Sequence, residues 1–182
     1  MLISSWPGKE MTVSATIAAF ISWIPDWAAT IIISMLPVSE LRGAIPLALA
    51  PAEVGGYGMA VPEAYFLAVI GNMIPVIPLL LFLGPVSDFL RRWKMWDIFF
   101  NWLFTRTHHK HNARFEKYGM LALTLFVAVP LPVTGAWTGC TAAFVFGIEF
   151  RHALIAIFTG VLIAGIVVTA LTLAGIGIFE LF

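Results

Sequence analysis

Two hydrophobic blocks of this chain are each interrupted by nearly the same four residues, LPVS at positions 36–39 and LPVT at positions 131–134. A proline inside a helix removes a backbone hydrogen bond and clashes with the preceding turn, at a cost of about 3 kcal/mol or more. Further prolines and glycines lie within a few residues of each motif. We therefore predict that each block, residues 27–50 and 119–148, forms two short helices of about ten residues joined by a turn.

A ten-residue helix is about 15 Å long, which is half of the roughly 30 Å hydrocarbon layer of a bilayer. The economical arrangement is a re-entrant hairpin that enters the membrane, turns near its middle and leaves by the same face. Broken backbone at that depth must be covered by protein or line a wet cavity. The alternative is a pair of ordinary spans with proline kinks. We call residues 36–42 the first tip and residues 131–137 the second tip.

A bilayer is the natural solvent for such a chain. Hydrophobic residues make up 60% of its 182 residues and charged residues 11%, whereas soluble domains have roughly 45–50% and about 25%. Two further blocks, residues 65–83 and 153–179, contain no charged residue and are long enough to cross the membrane. We expect an all-α integral membrane protein with a single membrane domain, residues 1–182.

The cationic residues are concentrated in one loop. Seven of the ten Lys and Arg residues lie between positions 91 and 117, and the positive-inside rule places this loop, residues 86–117, in the cytoplasm of a multi-pass cell-membrane protein. Nucleic acid also attracts basic loops, but a lipid-facing chain explains the pattern without a further partner, so we expect no nucleic acid. His108, His109 and His111 are better explained by attraction to anionic head groups than by a metal site, and we expect no metal and no cofactor.

The order of elements repeats along the chain. Each broken block is preceded by a segment of amphipathic character, residues 12–24 and 88–104, and is followed by a full span. The second of these segments has a Trp- and Phe-rich face and a charged face, which is typical of helices in the membrane interface. With the basic loop inside, the first hairpin dips from the outer face and the second from the cytoplasmic face. We therefore predict two inverted repeats, about 12–84 and 86–180, as in many secondary transporters.

Residues 37–46 (PVSELRGAIP) resemble the signature of the small multidrug export protein family, which resembles the wider DedA group of membrane proteins. In the second half, residues 114–119 (RFEKYG), a hydrophobic run and residues 130–135 (PLPVTG) are similar to the DedA pattern. The resemblance covers nearly the whole chain and implies transport or flipping of an amphiphile, such as a polyprenyl phosphate or a phospholipid. The arginines usual around the second proline in DedA proteins are missing, since Val129 and Gly135 stand there.

The two tips differ in charge. Glu40 and Arg42 follow the first break, whereas the second tip has no charged residue. Charged side chains at membrane depth are costly and mark function by default. They can pair with each other. Alternatively, they face a polar cavity between the tips, where Glu40 carries a proton and Arg42 offers a planar fork to a phosphate.

Half-helices that begin near Gly43 and Thr138 would direct their positive ends at the middle of the membrane and attract anions. The hydroxyls of Ser39 and Thr134 can bind substrate or cap the broken helices, and Trp137 can stack on substrate or pack in the core. The candidate substrate- and proton-binding residues are Pro37, Ser39, Glu40, Arg42, Gly43 and Pro46 in the first hairpin, and Pro132, Thr134, Gly135 and Trp137 in the second.

Three features outside the tips also predict contacts. Asn72, in the middle of a span, is expected to bond the freed backbone of a hairpin in preference to a substrate. Ala156, Gly160 and Ala164 are spaced by four and allow close helix contact, within the chain or in a dimer. Cys140 is expected to be a buried, small apolar residue.

We expect a membrane transporter or lipid flippase that moves an amphiphilic, anionic, lipid-phosphate-like substrate past the facing hairpins with proton coupling. The alternatives are a passive scramblase or channel, a scaffold that transports nothing, and the small-drug export that the resemblance implies. The sequence has no Ser-His-Asp, metal-ligand or phosphate-loop pattern, so we expect no enzymatic activity. The expected partners are membrane lipids and a small amphiphilic substrate, and the small chain is compatible with a homodimer.

Overall fold

The computed structural model describes residues 24–90, 113–130 and 134–179, and every regular element in these ranges is helical. The basic loop and the two amphipathic segments fall largely outside these residues, so their expected positions stay predictions. Residues 88–90 continue a helix. The helices are α1 (Asp26–Met35), α2 (Glu40–Leu49), α3 (Val61–Met73), α4 (Val76–Leu90), α5 (Ala113–Ala128), α6 (Ala136–Val145) and α7 (Phe150–Phe179), with a 3-10 turn at Ala52–Val54.

The first hydrophobic block breaks at the LPVS motif. Helix α1 ends at Met35, Leu36 is extended and α2 begins at Glu40, because the residue before a proline is disfavoured in the helical region. The non-helical segment between the two helices is shorter than the number of prolines and glycines in this block indicated. Helix α2 continues through Gly43 and Pro46, so the expected start near Gly43 is wrong by three residues. Buried apolar side chains along α2 hold the turn that Pro46 weakens.

The second block breaks in the same manner. Helix α5 ends at Ala128, and α6 begins at Ala136, directly after Gly135 and two residues before the expected start near Thr138. Helix α5 has 16 residues rather than about ten, but its apolar part is the shorter stretch Tyr118–Ala128. The pairs α1–α2 and α5–α6 are therefore both made of two helices separated within a hydrophobic stretch of the sequence.

Two helical segments, Val61–Leu83 and Phe150–Gly177, are long and apolar enough to cross a membrane, which confirms both predicted spans. The first has a turn at residues 74–75 between α3 and α4, since Pro75 has no N–H to donate to the carbonyl of Gly71. Only 33% and 44% of the most apolar windows of these segments are buried. The core helix of a soluble protein would be mostly buried, so this exposure fits helices that face lipid.

The side chains on the outside of the helical bundle are apolar, whereas those in its interior are mostly small and partly polar. Large side chains such as Phe66, Phe158 and Ile166 are exposed. Alanines dominate the buried core, together with polar residues such as Glu40 and Asn72. Small residues at helix contacts and polar groups turned inward are typical of membrane bundles. The described residues therefore place the chain in a membrane.

In the first half, α1 packs closely on the span helix α3. The Ser34 hydroxyl of α1 donates a hydrogen bond to the backbone carbonyl of Ala68 at 2.5 Å. One turn further along α3, a Cβ at Gly71 would collide with the backbone of Ile31. A hydroxyl and a nearby glycine thus join the helix that leads to the first tip to its span.

In the second half, α5 and α7 are joined in the same way, by a hydroxyl hydrogen bond and a close glycine contact. The Thr124 hydroxyl of α5 donates to the backbone carbonyl of Ala156 at 3.2 Å. A Cβ at Gly160 would meet the backbone carbonyl of Thr124 at 2.8 Å. Ala156 and Ala164 are buried on the same helix, which confirms close helix contact by these small residues within the chain.

The second helix of each pair packs on the span of the other half: α2 contacts α7, and α6 contacts α4. The spans α3 and α7 also touch, where the Tyr65 hydroxyl donates to the carbonyl of Leu162 at 3.0 Å and the Tyr65 ring lies over Gly165. This crossed packing brings the first tip against the second.

Candidate functional site

The Arg42 side chain of the first tip bonds to the second tip. Its Nη2 atom donates hydrogen bonds to the backbone carbonyl of Thr134 and, at 3.3 Å, to the Thr134 hydroxyl. Its Nε atom is buried and has no hydrogen-bond partner among the described residues. The guanidinium thus binds the second tip through Nη2, while its Nε donor has no partner within the described part of the chain.

The Glu40 carboxylate is bound at the start of α6. The backbone N–H of Trp137 donates to Glu40 Oε1 at 3.4 Å, and the N–H of Ala136 also faces the carboxylate. The first N–H groups of a helix have no partner within the helix and attract negative charge. The sequence predicts an anion site at the start of the second half-helix, and in this structure the carboxylate of Glu40 lies there.

The backbone at Glu40 is in an unusual conformation. Its φ is +46°, the single positive φ of a non-glycine residue in the described ranges. Such a conformation costs about 1–3 kcal/mol and is found most often at functional sites. Gly135 lies directly against the Glu40 side chain, because a Cβ at that position would overlap the Glu40 carboxylate. The glycine is required here for space.

Glu40 and Arg42 do not form a direct ion pair. In the described part of the chain, His152 Nδ1 lies 3.7 Å from the Glu149 carboxylate, and no nitrogen of Arg42 comes within 4.0 Å of the Glu40 carboxylate. The two side chains attract each other at longer range, but each bonds to a different group of the second tip. Mutual pairing, which the spacing allowed, is wrong.

The hydroxyls of the two motifs bond back to the helices that precede them. Ser39 donates to the carbonyl of Ile33 at 2.6 Å, and Thr134 donates to the carbonyl of Val129 at 2.7 Å. Each hydroxyl therefore satisfies a carbonyl at the C-terminal end of the helix leading to its tip. This supports the capping role of the hydroxyls, although at the end of one helix rather than at the start of the next.

Trp137 makes a further bond between the tips. Its indole N–H donates to the backbone carbonyl of Met35, at the end of α1, at 3.1 Å. The bond runs from the second tip to the first, opposite to the bond that Arg42 donates. Each tip therefore donates to backbone at or next to the other tip, and Trp137 is half-buried in this contact.

The remaining candidates lie beside the contact or outside it. Pro37 is exposed in the first turn, and Gly43 lies against Ser39, whose Cβ would be 2.8 Å from an added Cβ. Pro46 is six residues beyond the start of α2. Pro132 lies outside the described residues, so its role stays a prediction.

The proximity of Asn72 to Glu40 could not be predicted from the sequence. Its side chain is 1% exposed and interacts with the Glu40 carboxylate, although neither atom of its amide has a partner at hydrogen-bond distance and angle among the described residues. The expected bond to a hairpin backbone is therefore absent from the described structure. The signal that could have found it is that Asn72 is the one strongly polar side chain in residues 65–83. Cys140 is fully buried nearby, as predicted.

Comparison with known proteins identifies a family. The family described as "Putative small multi-drug export protein" matches residues 40–167, whereas no curated protein and no solved structure matches the chain significantly. The comparisons do not show the wider DedA resemblance. The matched range begins at Glu40 and includes Arg42, Thr134, Gly135 and Trp137, which form the contact between the tips. Because this range covers well over half of the 182 residues, the protein belongs to the small multi-drug export protein family.

Proposed function

We propose that this protein is a transporter that moves an amphiphilic, anionic, lipid-phosphate-like substrate past the two tips, coupled to protons. The observation that carries the proposal is the binding of Glu40 and Arg42 to the backbone of the second tip inside an apolar bundle. Uncharged side chains could form hydrogen bonds with the same backbone groups of the second tip. Charges at membrane depth cost roughly 2.5 to well over 10 kcal/mol depending on the scale, so their presence favours a functional role.

The groups that hold the tips together are those that bind phosphate. The N–H groups of Ala136 and Trp137 are the start of a helix, and Arg42 provides a charged, planar donor set. Glu40 supplies to these N–H groups what a phosphate would supply, namely oxygen acceptors with negative charge. A substrate phosphate can therefore replace the Glu40 carboxylate at these N–H groups.

Proton uptake by Glu40 gives a route to this exchange. A neutral carboxyl loses its charge attraction to the start of α6. The N–H groups that it leaves are then open to an anion, while Arg42 remains charged. Binding of the proton and binding of the anionic substrate would thus favour each other, which is the thermodynamic basis of coupling.

The membrane arrangement is part of the proposal. We infer that α1–α2 and α5–α6 are re-entrant hairpins of two inverted repeats in the cell membrane, with the loop 86–117 in the cytoplasm and with the DedA group as distant relatives. The support is that α1, α2 and α6 each have ten residues, half of a membrane thickness, and that both halves pack by the same contacts. Lipids and the amphiphile are the proposed partners. The proposal invokes no cofactor, enzymatic step or nucleic acid, and it is compatible with a homodimer.

The test is reconstitution into liposomes with a fluorescent anionic phospholipid and an imposed pH gradient. We expect movement of the lipid that depends on the gradient and is abolished by Glu40→Gln. Glu53→Gln is the matched control, because Glu53 is an exposed carboxylate in the 3-10 turn between α2 and α3. Its activity should equal that of the unchanged protein.

The other outcomes separate the alternatives. Lipid movement that is equal with and without the gradient indicates a passive scramblase or channel. The family description favours one more candidate, export of small drugs, so a lipophilic dye belongs in the same assay. Movement of the dye alone would support drug export, and movement of neither compound would support a scaffold.

A further inference from the structure

A groove of about 520 Å³ lies between α5 and α6, and we call it the α5–α6 groove. Tyr118, Ala122 and Phe126 line it from α5, and Ala142 and Phe146 line it at and just beyond the end of α6. Close-packed helices rarely leave voids larger than a water molecule, and this volume is within the range of sites that hold a small ligand. The α5–α6 groove therefore has room for an occupant.

The groove follows from the order of side chains along α5. Tyr118, Ala122 and Phe126 are spaced by four, so they lie one above the other on one side of the helix. The small Ala122 stands between the two rings, and Ala142 is a small residue on the α6 side. The groove thus has small side chains between bulky rings. Its lining is almost entirely apolar, since the Tyr118 hydroxyl is the one polar side-chain group among the lining residues.

The groove runs from the membrane surface towards the middle of the membrane. The first turns of α5 contain charged residues, and its apolar stretch begins at Tyr118 and ends at Ala128. Tyr118 is 69% exposed at this boundary, and tyrosine is enriched where a membrane meets water. The eight steps from Tyr118 to Phe126 span about 12 Å, compared with about 15 Å for half of the hydrocarbon layer. The groove is therefore parallel to, and nearly as long as, the lipid chains of the leaflet that α5 enters.

The charges at the surface end of the groove have a positive balance. The start of α5 contains two cations, Arg114 and Lys117, and one acid, Glu116, which gives a net charge of +1. Near the start of α7, which follows α6 in the chain, Glu149 and Arg151 offset each other. Basic residues next to a membrane-inserted helix attract anionic lipid head groups. The groove thus combines an apolar lining with a cationic end, which is complementary to an anionic phospholipid.

We propose that the α5–α6 groove binds one acyl chain of an anionic phospholipid, whose head group lies at the start of α5. A chain in the groove contacts two helices at once, so it gains more van der Waals contact than a chain on the outer side of a single helix. A polar ligand would lose its hydrogen bonds in this lining. The inference goes beyond the proposed function, because it requires the chain to lie in a bilayer but requires neither transport nor a proton on Glu40.

The first test maps the groove with a photoreactive lipid. The full-length protein is reconstituted in bilayers that contain a trace of phosphatidylglycerol with a diazirine halfway along one acyl chain, and cross-linked residues are located by mass spectrometry. We expect Ala122, Phe126 and Ala142 to be labelled several-fold more than Ile166 and Leu171, which are exposed residues of α7 outside the groove.

Filling the groove should remove this preference. Ala122→Phe places a ring in the space for the lipid chain, so labelling of Phe126 and Ala142 should fall to the level of the α7 residues. Ala142→Leu fills the groove from α6 and should give the same loss if the phenylalanine disturbs folding. Ala174→Phe is the matched control, because Ala174 is an exposed alanine of α7 that does not line the groove. Its labelling pattern should equal that of the unchanged protein.

The head group is tested with phosphatidylcholine that has the same photoreactive chain. We expect this lipid to label the groove less, and Lys117→Gln should reduce the preference for phosphatidylglycerol about fivefold, the effect of one cation near a membrane surface. Equal labelling by both lipids would overturn the anionic head group. If neither lipid labelled the groove more than α7, another part of the chain or a second copy would cover it and the proposal would be overturned. The proposed function would still be decided by its own liposome assay.

Discussion

The Glu40 carboxylate occupies the space that a side chain at Gly135 would need. Only because residue 135 lacks a Cβ can a side chain of the first tip reach the N–H of Trp137 at the start of α6. The backbone at Gly135 is extended, with φ of 167°, which any residue can adopt. The requirement for glycine is therefore one of space, and it depends on Glu40.

Gly135→Ala should destabilise the protein by about 1–3 kcal/mol, because the added methyl group overpacks the contact between the tips. The measurement is the thermal unfolding temperature of the purified protein in detergent, which should fall. Gly175→Ala is the matched control, since a Cβ at Gly175 meets no atom within 4 Å. An equal effect of both substitutions would contradict the assignment.

Combining Gly135→Ala with Glu40→Ala should partly restore stability. Shortening residue 40 removes the group with which the new methyl collides, so the effects of two residues in direct contact should not add. We expect the double variant to unfold at a higher temperature than the sum of the single effects predicts. Strict additivity would show that the two side chains do not share this space.

Arg42→Lys should not preserve function. One guanidinium nitrogen reaches two oxygens of Thr134, and lysine offers a differently shaped point charge. Losing one hydrogen bond to a charged group costs about 1.5–3 kcal/mol, which predicts at least a tenfold loss of transport rate. Arg151→Lys, at an exposed position near the start of α7, is the control and should leave the transport rate unchanged. Full activity of Arg42→Lys would show that positive charge alone suffices.

The broken helices and both spans could be predicted from the sequence because proline placement and apolar length act locally. The start of α2 could not, since Gly43 and Pro46 remain helical only through the burial of α2 against neighbours distant in sequence. The choice of Glu40 and Arg42 as functional residues followed from the cost of charge in a membrane. Their partners did not follow, because backbone groups of Thr134 and Trp137 carry no distinguishing residue type.

Trp137→Phe should lower the unfolding temperature by an amount equivalent to about 1–3 kcal/mol. Phenylalanine keeps an aromatic ring but cannot donate to the Met35 carbonyl, which is then left without that partner. The control is Trp27→Phe, whose indole is 53% exposed at the start of α1. If the two substitutions had the same effect, the indole bond between the tips would not contribute to stability.

Cysteine labelling decides between re-entrant hairpins and kinked spans. Positions 110 and 149 flank the pair α5–α6, and position 53 lies between α2 and the first span. A re-entrant hairpin returns the chain to the face from which it came, whereas a kinked span carries it across. Cys140→Ser gives a suitable background, because Cys140 is fully buried and its replacement leaves no native thiol.

With a membrane-impermeant maleimide, we expect cysteines at positions 110 and 149 to be labelled from the cytoplasmic side and a cysteine at position 53 from the opposite side. The first pair tests the hairpin, and the comparison of positions 53 and 110 tests the inverted orientation of the repeats. Labelling of 110 and 149 from opposite sides would make α5–α6 a kinked span. Labelling of 53 and 110 from the same side would exclude the inverted repeats, while the contact of Glu40 and Arg42 with the second tip would still hold.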